Sequence, residues 1–231
     1  MTAKKYIMIV KNFKIDIDAG HGFNTAGKRS PDGELREYAY CREIAYMLKE
    51  RLVAMGYNAE MIVPETYDVK INSTELKEYD KTMGDIPWSG KKYIKSRVAR
   101  VNDDCAKYGK GNVLLVSIHL NAAGSDGKWH DASGFSVWVS RTSASAKSKR
   151  MAQIFTEEAE KMKLMGNRFV PACKYWTADY AIVTKTLCPA VLTENLFQDN
   201  RHDKEFLLSP EGKRAIVELH YNAITKYVSE L

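Results

Sequence analysis

The chain lacks any apolar stretch approaching the ~20 residues that a membrane-spanning helix needs, which excludes an integral membrane helix. Its first residues, Met1-Thr2-Ala3-Lys4-Lys5-Tyr6-Ile7-Met8-Ile9-Val10, place basic groups before a few apolar ones. The run is too short for the core of a secretory leader and no small-residue cleavage site follows, so we read a first strand there and expect synthesis in the cytoplasm without a signal peptide. Cysteine is sparse. Cys41, Cys105, Cys173 and Cys188 are scattered without a Cys-x-x-Cys pair, so free thiols in a reducing compartment fit better than a disulfide framework. Repeats, low-complexity tracts and linkers are missing too, which leaves one continuous core as the expectation.

What is present is a chain of 231 residues, 45% hydrophobic, enough for one sizeable domain. The net charge of +6 suits a polyanionic partner. Lys and Arg are spread along the whole chain, as on an ordinary solvated surface, and neither a basic helix nor a stacking surface marks a nucleic-acid site, so nucleic acid is not an expected partner.

Periodicity then divides the chain. Ile15-Asp16-Ile17-Asp18 is a strand that runs into Gly20-His21-Gly22, and Ser30-Pro31-Asp32-Gly33 is a turn. Tyr38, Cys41, Ile44, Ala45, Leu48, Leu52 and Met55 recur at helical steps, with Glu37 in the first turn on the inward side and Gly56 at the C-terminal cap. A strand over Ala59 to Val63 follows, then a polar excursion from Glu65 to Gly90 and a helix from about Lys91 to Tyr108. Val113 to Ile118 is apolar without alternation, as in a central strand covered on both faces of a parallel sheet, and it leads to His119 and Asn121. The loop from Asp126 to Asp131, including His130, borders a possible cleft. Next come a strand, Gly134 to Val139, a long helix from about Ser143 to Met165 ending at Gly166, a short apolar run Ala181-Ile182-Val183, and a strand opened by Pro189 that runs through Val191-Leu192-Thr193-Glu194. The last helix begins at Ser209-Pro210, a capping residue followed by proline, and packs His220 inward; His202 lies in a charged surface stretch. Strands alternating with helices give an α/β class: a single domain with a twisted, mainly parallel mixed sheet flanked by helices on both faces.

Chemistry gathers where three apolar runs stop, at His21, His119 and Glu194. In open α/β sheets ligands bind beyond the carboxyl ends of the strands. We therefore expect these ends to meet at one zinc ion, with Glu194 beside the metal rather than bound to it. Two histidines and a carboxylate, with one position left for water, is a common catalytic zinc set. Singly each signal has a structural reading as well: a strand-end histidine is often a hydrogen-bonded core residue, and Glu37 suits the helix dipole.

Asp18-Ala19-Gly20-His21-Gly22, Glu37 opening a helix, Ser117-Ile118-His119-Leu120-Asn121-Ala122, and Pro189-Ala190-Val191-Leu192-Thr193-Glu194 followed by Phe197 and Asn200 together resemble the zinc-dependent N-acetylmuramoyl-L-alanine amidases of the Amidase_3 type. The order and separation match from about Ile15 to Ile224, and Arg97 and Asn102 fall where that family has an arginine and an asparagine. The stretch Asp18 to Gly27 is similar to versions in phage and prophage endolysins. The chain departs from the family at Ala19, Cys41 and Asn195, where proline, asparagine and glycine are common. The resemblance implies one Zn²⁺ per chain held by His21, Glu37 and His119, with Glu194 as catalytic acid and base. It implies peptidoglycan as the partner, cleaved at the amide between muramic acid and L-alanine, with action at the cell wall. Asn121 is placed to contact the substrate or to orient a ligand, with a structural turn as the alternative reading. One catalytic domain over residues 1–231 is expected, with no separate wall-binding domain; no feature of the sequence fixes an oligomeric state. The competing reading is a wall-binding or regulatory protein that keeps the fold without turnover.

Overall fold

A computed structural model describes residues 13–22, 25–62 and 97–231. The strand expected at Tyr6 to Val10, the excursion over Glu65 to Gly90, Val63, Phe23-Asn24 and the start of the helix expected from Lys91 lie outside the described residues.

In chain order the elements are β1 (Lys14–Ala19), α1 (Glu37–Ala54), β2 (Asn58–Met61), α2 (Arg97–Tyr108), β3 (Val113–Asn121), β4 (Ser136–Ser140), α3 (Ala146–Lys161), β5 (Trp176–Ala178), α4 (Ala181–Thr184), β6 (Ala190–Phe197), α5 (Arg201–Leu208) and α6 (Pro210–Ser229). The strands form one sheet in the order β2-β1-β3-β6-β4-β5. Every pairing is parallel except that of β4 with β6. This is the single mixed, mainly parallel sheet that the alternation of strands and helices predicts.

β3 lies inside the sheet, and Val113, Leu114, Leu115, Val116 and Ile118 are wholly buried, so its lack of alternation reflects cover on both sides. Ile15, Ile17, Leu114, Val116, Ile118 and Val191 pack into one core with the inward stripes of α1, α3 and α6. Leu115 and Leu192 join Val101 and Cys105 of α2 and Ile182 of α4 in a second, smaller core on the opposite face. Gly56 takes φ 85° after α1, the left-handed cap conformation that glycine adopts without a steric penalty. Ser209 caps α6 by accepting the Gly212 amide at 2.9 Å, with Pro210 at the first helical position.

Several features differ from the sequence reading, among them the strand β5 at Trp176–Ala178 in a stretch read as irregular. α3 is shorter than expected: Ser145, rather than Ser143, is its cap, and Lys163 takes φ 57° before Gly166 is reached. Ala181-Ile182-Val183 is a short helix. Arg201–Leu208 forms a helix that no apolar periodicity announced. Finally, His119 and Glu194 sit inside β3 and β6 rather than at their ends; only His21 lies past its strand. The strands continue because β3 and β6 keep pairing through a register shift after His119, and Leu196 takes φ 65°.

Candidate metal centre

β1 and β3 run side by side with Ala19 opposite Ile118, so the chain leaving β1 turns across the carboxyl end of β3. The Gly20 amide donates to the Ile118 carbonyl at 2.8 Å. A Cβ on Gly20 would stand 2.5 Å from Nδ1 of His119, so the imidazole occupies the space that any other residue would need. His21 follows in the left-handed region at φ 57°, a conformation that costs a non-glycine residue about 1–2 kcal/mol. Its carbonyl is held there by Arg42 Nη1 at 3.1 Å and Arg97 Nη2 at 3.0 Å. Arg97 Nη1 also binds Asp18 Oδ1 at 2.7 Å and the Ala19 carbonyl, and Ser117 Oγ donates to the other Asp18 oxygen at 2.5 Å. A buried guanidinium thus ties the end of β1 to the start of α2, and Ser117 ties it to β3.

Glu37, fully buried in the first turn of α1, reaches the same point from the other face. Its Oε1 lies 3.2 Å from His119 Nδ1 and 3.4 Å from His21 Nε2, and accepts the Leu120 amide at 3.0 Å. Oε2 is buried without a hydrogen-bond partner, with Lys28 Nζ 3.9 Å away. The two imidazole rings meet edge to face, 4.9 Å apart. One atom from each of His21, Glu37 and His119 lies within 4.8 Å of the others, and no other such cluster of three exists among the described residues. Two imidazole nitrogens and a carboxylate converging beside an orphaned buried oxygen fit a divalent cation of the zinc type.

The electrostatics agree with that convergence. Burial drives the His21 imidazole down to about 3, so the ring stays neutral as a ligand must. Burial also opposes charge on His119, but its hydrogen bond to Glu37 and the surrounding carboxylates outweigh this and raise it. For Glu37, burial favours the neutral acid, yet the bond from His119 foremost, then the two neighbouring imidazoles and Lys28, bring the carboxyl below its ordinary range.

Glu194 stands directly opposite His119 in the β3–β6 register. Its Oε2 is buried and unpartnered. Burial lifts its carboxyl to about 7, with His119 pulling it down and Glu37 pushing it up. A cleft of about 330 Å³ opens over this group, lined among others by Asp18, His21, Lys28, His119, Tyr180 and Glu194.

The profile of the Amidase_3 family, described as N-acetylmuramoyl-L-alanine amidase, matches residues 15–226. The chain belongs to the Amidase_3 family. It is 26% identical over 213 residues to the N-acetylmuramoyl-L-alanine amidase CwlM of Bacillus licheniformis, spanning 92% of this chain and 68% of that protein. Solved structures share the fold. The Ami1 amidase of Mycobacterium smegmatis superposes with a TM-score of 0.70 at 15% identity, over 96% of this chain and 99% of that one. The CwlD amidase of Clostridioides difficile, solved in complex with the GerS lipoprotein, gives 0.68 at 18%, over 95% and 100%.

Within this Amidase_3 chain the other singled-out residues separate clearly. Asn121 ends β3 two residues beyond His119; its Oδ1 accepts the Ala122 amide at 2.9 Å, its Nδ2 makes no hydrogen bond among the described residues, and it is not among the residues that line the cleft. His130 pairs with Asp126 at 2.9 Å. His202 is exposed on α5. His220 is buried in α6, bonded to the Ile216 carbonyl at 2.8 Å and to Thr193 Oγ1 at 2.9 Å. Asn102 accepts the Leu187 amide and donates to the Lys185 carbonyl, tying α2 to the approach to β6. Cys41, Cys105 and Cys188 are buried and free, whereas Cys173 is exposed. No described helix is long and apolar enough to cross a membrane.

Sequence reasoning passed over Lys28, Arg42 and Tyr180, and marked Asn195 only as a departure from the family pattern. Asn195 Nδ2 donates to the His119 carbonyl at 2.9 Å and to Thr193 Oγ1 at 3.1 Å, so a position where the family often has glycine here braces the β3 ligand. Lys28 and Tyr180 lie outside the regular elements, where no periodicity marks a facing direction.

Proposed function

We propose that this chain is a zinc-dependent N-acetylmuramoyl-L-alanine amidase that acts on the cell wall, hydrolysing the amide between the lactyl group of muramic acid and the L-alanine of the peptidoglycan stem. The observation that carries the reading is the meeting of His21, Glu37 and His119 at one point, with Glu194 alongside. Family membership and the kinship to CwlM support it.

His21, Glu37 and His119 would hold the ion. Zinc bound there supplies Lewis acidity toward the amide carbonyl and makes hydroxide available near neutral pH. The remaining work falls to the chain. Glu194 Oε2, unpartnered at the cleft wall, takes a proton from the attacking water as its oxygen bonds to the carbonyl carbon. The same carboxyl delivers that proton to the alanine nitrogen as the C–N bond breaks, so the peptide leaves as an amine and the lactyl group as a carboxylate. Burial favours the neutral acid at Glu194, whereas a cation bound beside it would favour the carboxylate, so the one group can serve both halves of the exchange. Arg42 and Arg97 keep His21 in its strained conformation, and Asn195 steadies His119. Asn121 would offer its free amide to the substrate.

The test is mass spectrometry of purified peptidoglycan after incubation with the zinc-loaded chain. Free stem peptides with new L-alanine amino termini are the expected product. Glu194→Gln should reduce their release by roughly 10²–10⁴-fold while zinc is retained. Intact peptidoglycan after treatment with the parent chain would reject the reading and leave the wall-binding alternative.

A further inference from the structure

Arg168 lies outside the metal centre, yet its surroundings are unusual for a surface cation. It is half-buried, with its guanidinium carbon 5.1 Å from the centroid of the Trp176 ring and 5.1 Å from that of Phe197. Among the described residues it has neither a hydrogen bond nor an ion pair. A guanidinium carries five N–H donors in a rigid fork suited to a carboxylate, and removing it from water without a partner is costly. Consistent with that, burial lowers its pKa, and the one carboxylate whose charge reaches it is Glu194.

The segment that carries Arg168 is pinned. Asn167 donates through Nδ2 to the Asp131 carbonyl at 2.8 Å, accepts the Ser133 amide at 2.9 Å, and donates its own amide to the Ser133 carbonyl at 3.3 Å. Gly134 and Gly166 touch backbone to backbone: a Cβ on Gly134 would fall 1.9 Å from the Met165 carbonyl oxygen. Asp203 fastens the other side of this junction, accepting Ser133 Oγ at 2.7 Å, the Gly134 amide at 3.1 Å and the Phe197 amide at 2.9 Å. A long flexible cation is therefore held between two rings, on an anchored segment, on the β6–β4–β5 side of Glu194. From there aromatic residues continue to the cleft: Trp176 lies 6.1 Å from Trp138, and Trp138 lies 5.9 Å from Tyr180, which lines the cleft.

We propose that Arg168 is a substrate-binding residue that receives a carboxylate of the peptide leaving group, and so sets a preference for acidic over amidated stem peptides. This rests on the amidase reading. A peptide leading away from the scissile amide ends in a carboxylate, and each acidic residue within it adds another. The aromatic rings at Trp176 and Phe197 orient the fork, reduce its freedom before binding and shield the ion pair from water. Glu194 is not its permanent partner, because no hydrogen bond joins them and Glu194 must exchange a proton during turnover.

The experiment compares the parent chain, Arg168→Gln and Arg168→Lys on two muramoyl-peptides that differ only in whether the peptide carboxyls are free or amidated. The parent should favour the free acids by roughly ten- to a hundred-fold in kcat/KM, mostly through KM. Arg168→Gln should erase that preference by weakening only the acidic substrate. Arg168→Lys, which keeps the charge and the bulk but loses the fork, should retain part of it. Titration calorimetry with the released L-alanyl peptides, free and amidated, reads the same contact without turnover. A parent that binds both peptides equally, or an Arg168→Gln variant that loses both substrates by the same factor, overturns the proposal. Discrimination by calorimetry without cleavage of either substrate would keep the subsite and remove the amidase reading.

Discussion

Replacing Arg97 with glutamine should cost both stability and metal, and the structure fixes how much of each. Arg97 places its charge 2.7 Å from Asp18 Oδ1 and donates to the carbonyls of Ala19 and His21. Asp18 is 1% exposed. Burial alone would push its carboxyl up, but Arg97 foremost, then the Ser117 hydroxyl, holds it below the ordinary carboxylate range. Without the guanidinium a buried carboxylate is left uncompensated, a change worth about 3–5 kcal/mol, against a typical total stability of about 5–15 kcal/mol. The sign with pH follows. In the parent, the depressed carboxyl favours the fold at every pH above the ordinary value of 3.8 and loses that contribution as pH falls through the lowered one. In the variant the carboxyl is raised instead, so the deficit grows from acid toward alkaline pH. Urea unfolding at pH 5, 7 and 8.5 reads this directly, and Asp18→Asn combined with Arg97→Gln should recover about 1–3 kcal/mol relative to additivity. Zinc affinity should fall roughly ten- to a hundred-fold, since His21 loses one of the two guanidinium groups on its carbonyl. Stability within ~0.5 kcal/mol of the parent at pH 8.5, with unaltered zinc affinity, would refute the reasoning.

Two further substitutions probe other parts of the molecule. Asp16 is fully buried in β1, with neither carboxyl oxygen in a hydrogen bond and Lys14 Nζ 4.0 Å from Oδ1; burial, and then the charge of Asp104, lift its pKa to about 9, while Lys14 pulls it down and Glu60 shares that lysine. The fold then binds a proton that the unfolded chain releases above 3.8, so stability declines with rising pH between these values by up to ~1.4 kcal/mol per unit, and Asp16→Asn should flatten that decline in unfolding curves taken from pH 5 to 8.5. Gly20→Ala should displace the His119 ring, because the added carbon would lie 2.5 Å from it; we expect at least tenfold weaker zinc binding by competition titration, with a stability loss of about 1–3 kcal/mol.

Most of the architecture was readable because the buried faces follow simple periods. The stripe of α1, the unbroken apolar run of β3 and the Ser209-Pro210 start of α6 each carry their structure locally. The two histidines and Glu194 were readable as a group because each follows an apolar run, and strands of a parallel sheet bring such positions to one edge. That edge was misplaced by a few residues, since the register shift after His119 and the left-handed turn at Leu196 depend on pairing between strands distant in sequence. α5 escaped notice for a different reason. Two of its three buried residues are charged: Asp203 satisfies amides of the neighbouring loop and β6, and Lys204 binds Asp32 at 2.9 Å and Glu34 at 2.5 Å. Its inward face is polar, so no hydrophobic period exists to be read. Lys28 and Arg168 owe their positions to turns and to the packing of Gly134 on Gly166, which local sequence does not encode.

The most direct test of the central claim is the zinc content of purified protein, measured by elemental analysis for the parent and for His21→Ala, Glu37→Ala, His119→Ala and Glu194→Gln. One ion per chain is expected in the parent and in Glu194→Gln, and a strong loss in the other three. Full occupancy retained in His21→Ala and His119→Ala, or a parent that takes up no zinc, would contradict it.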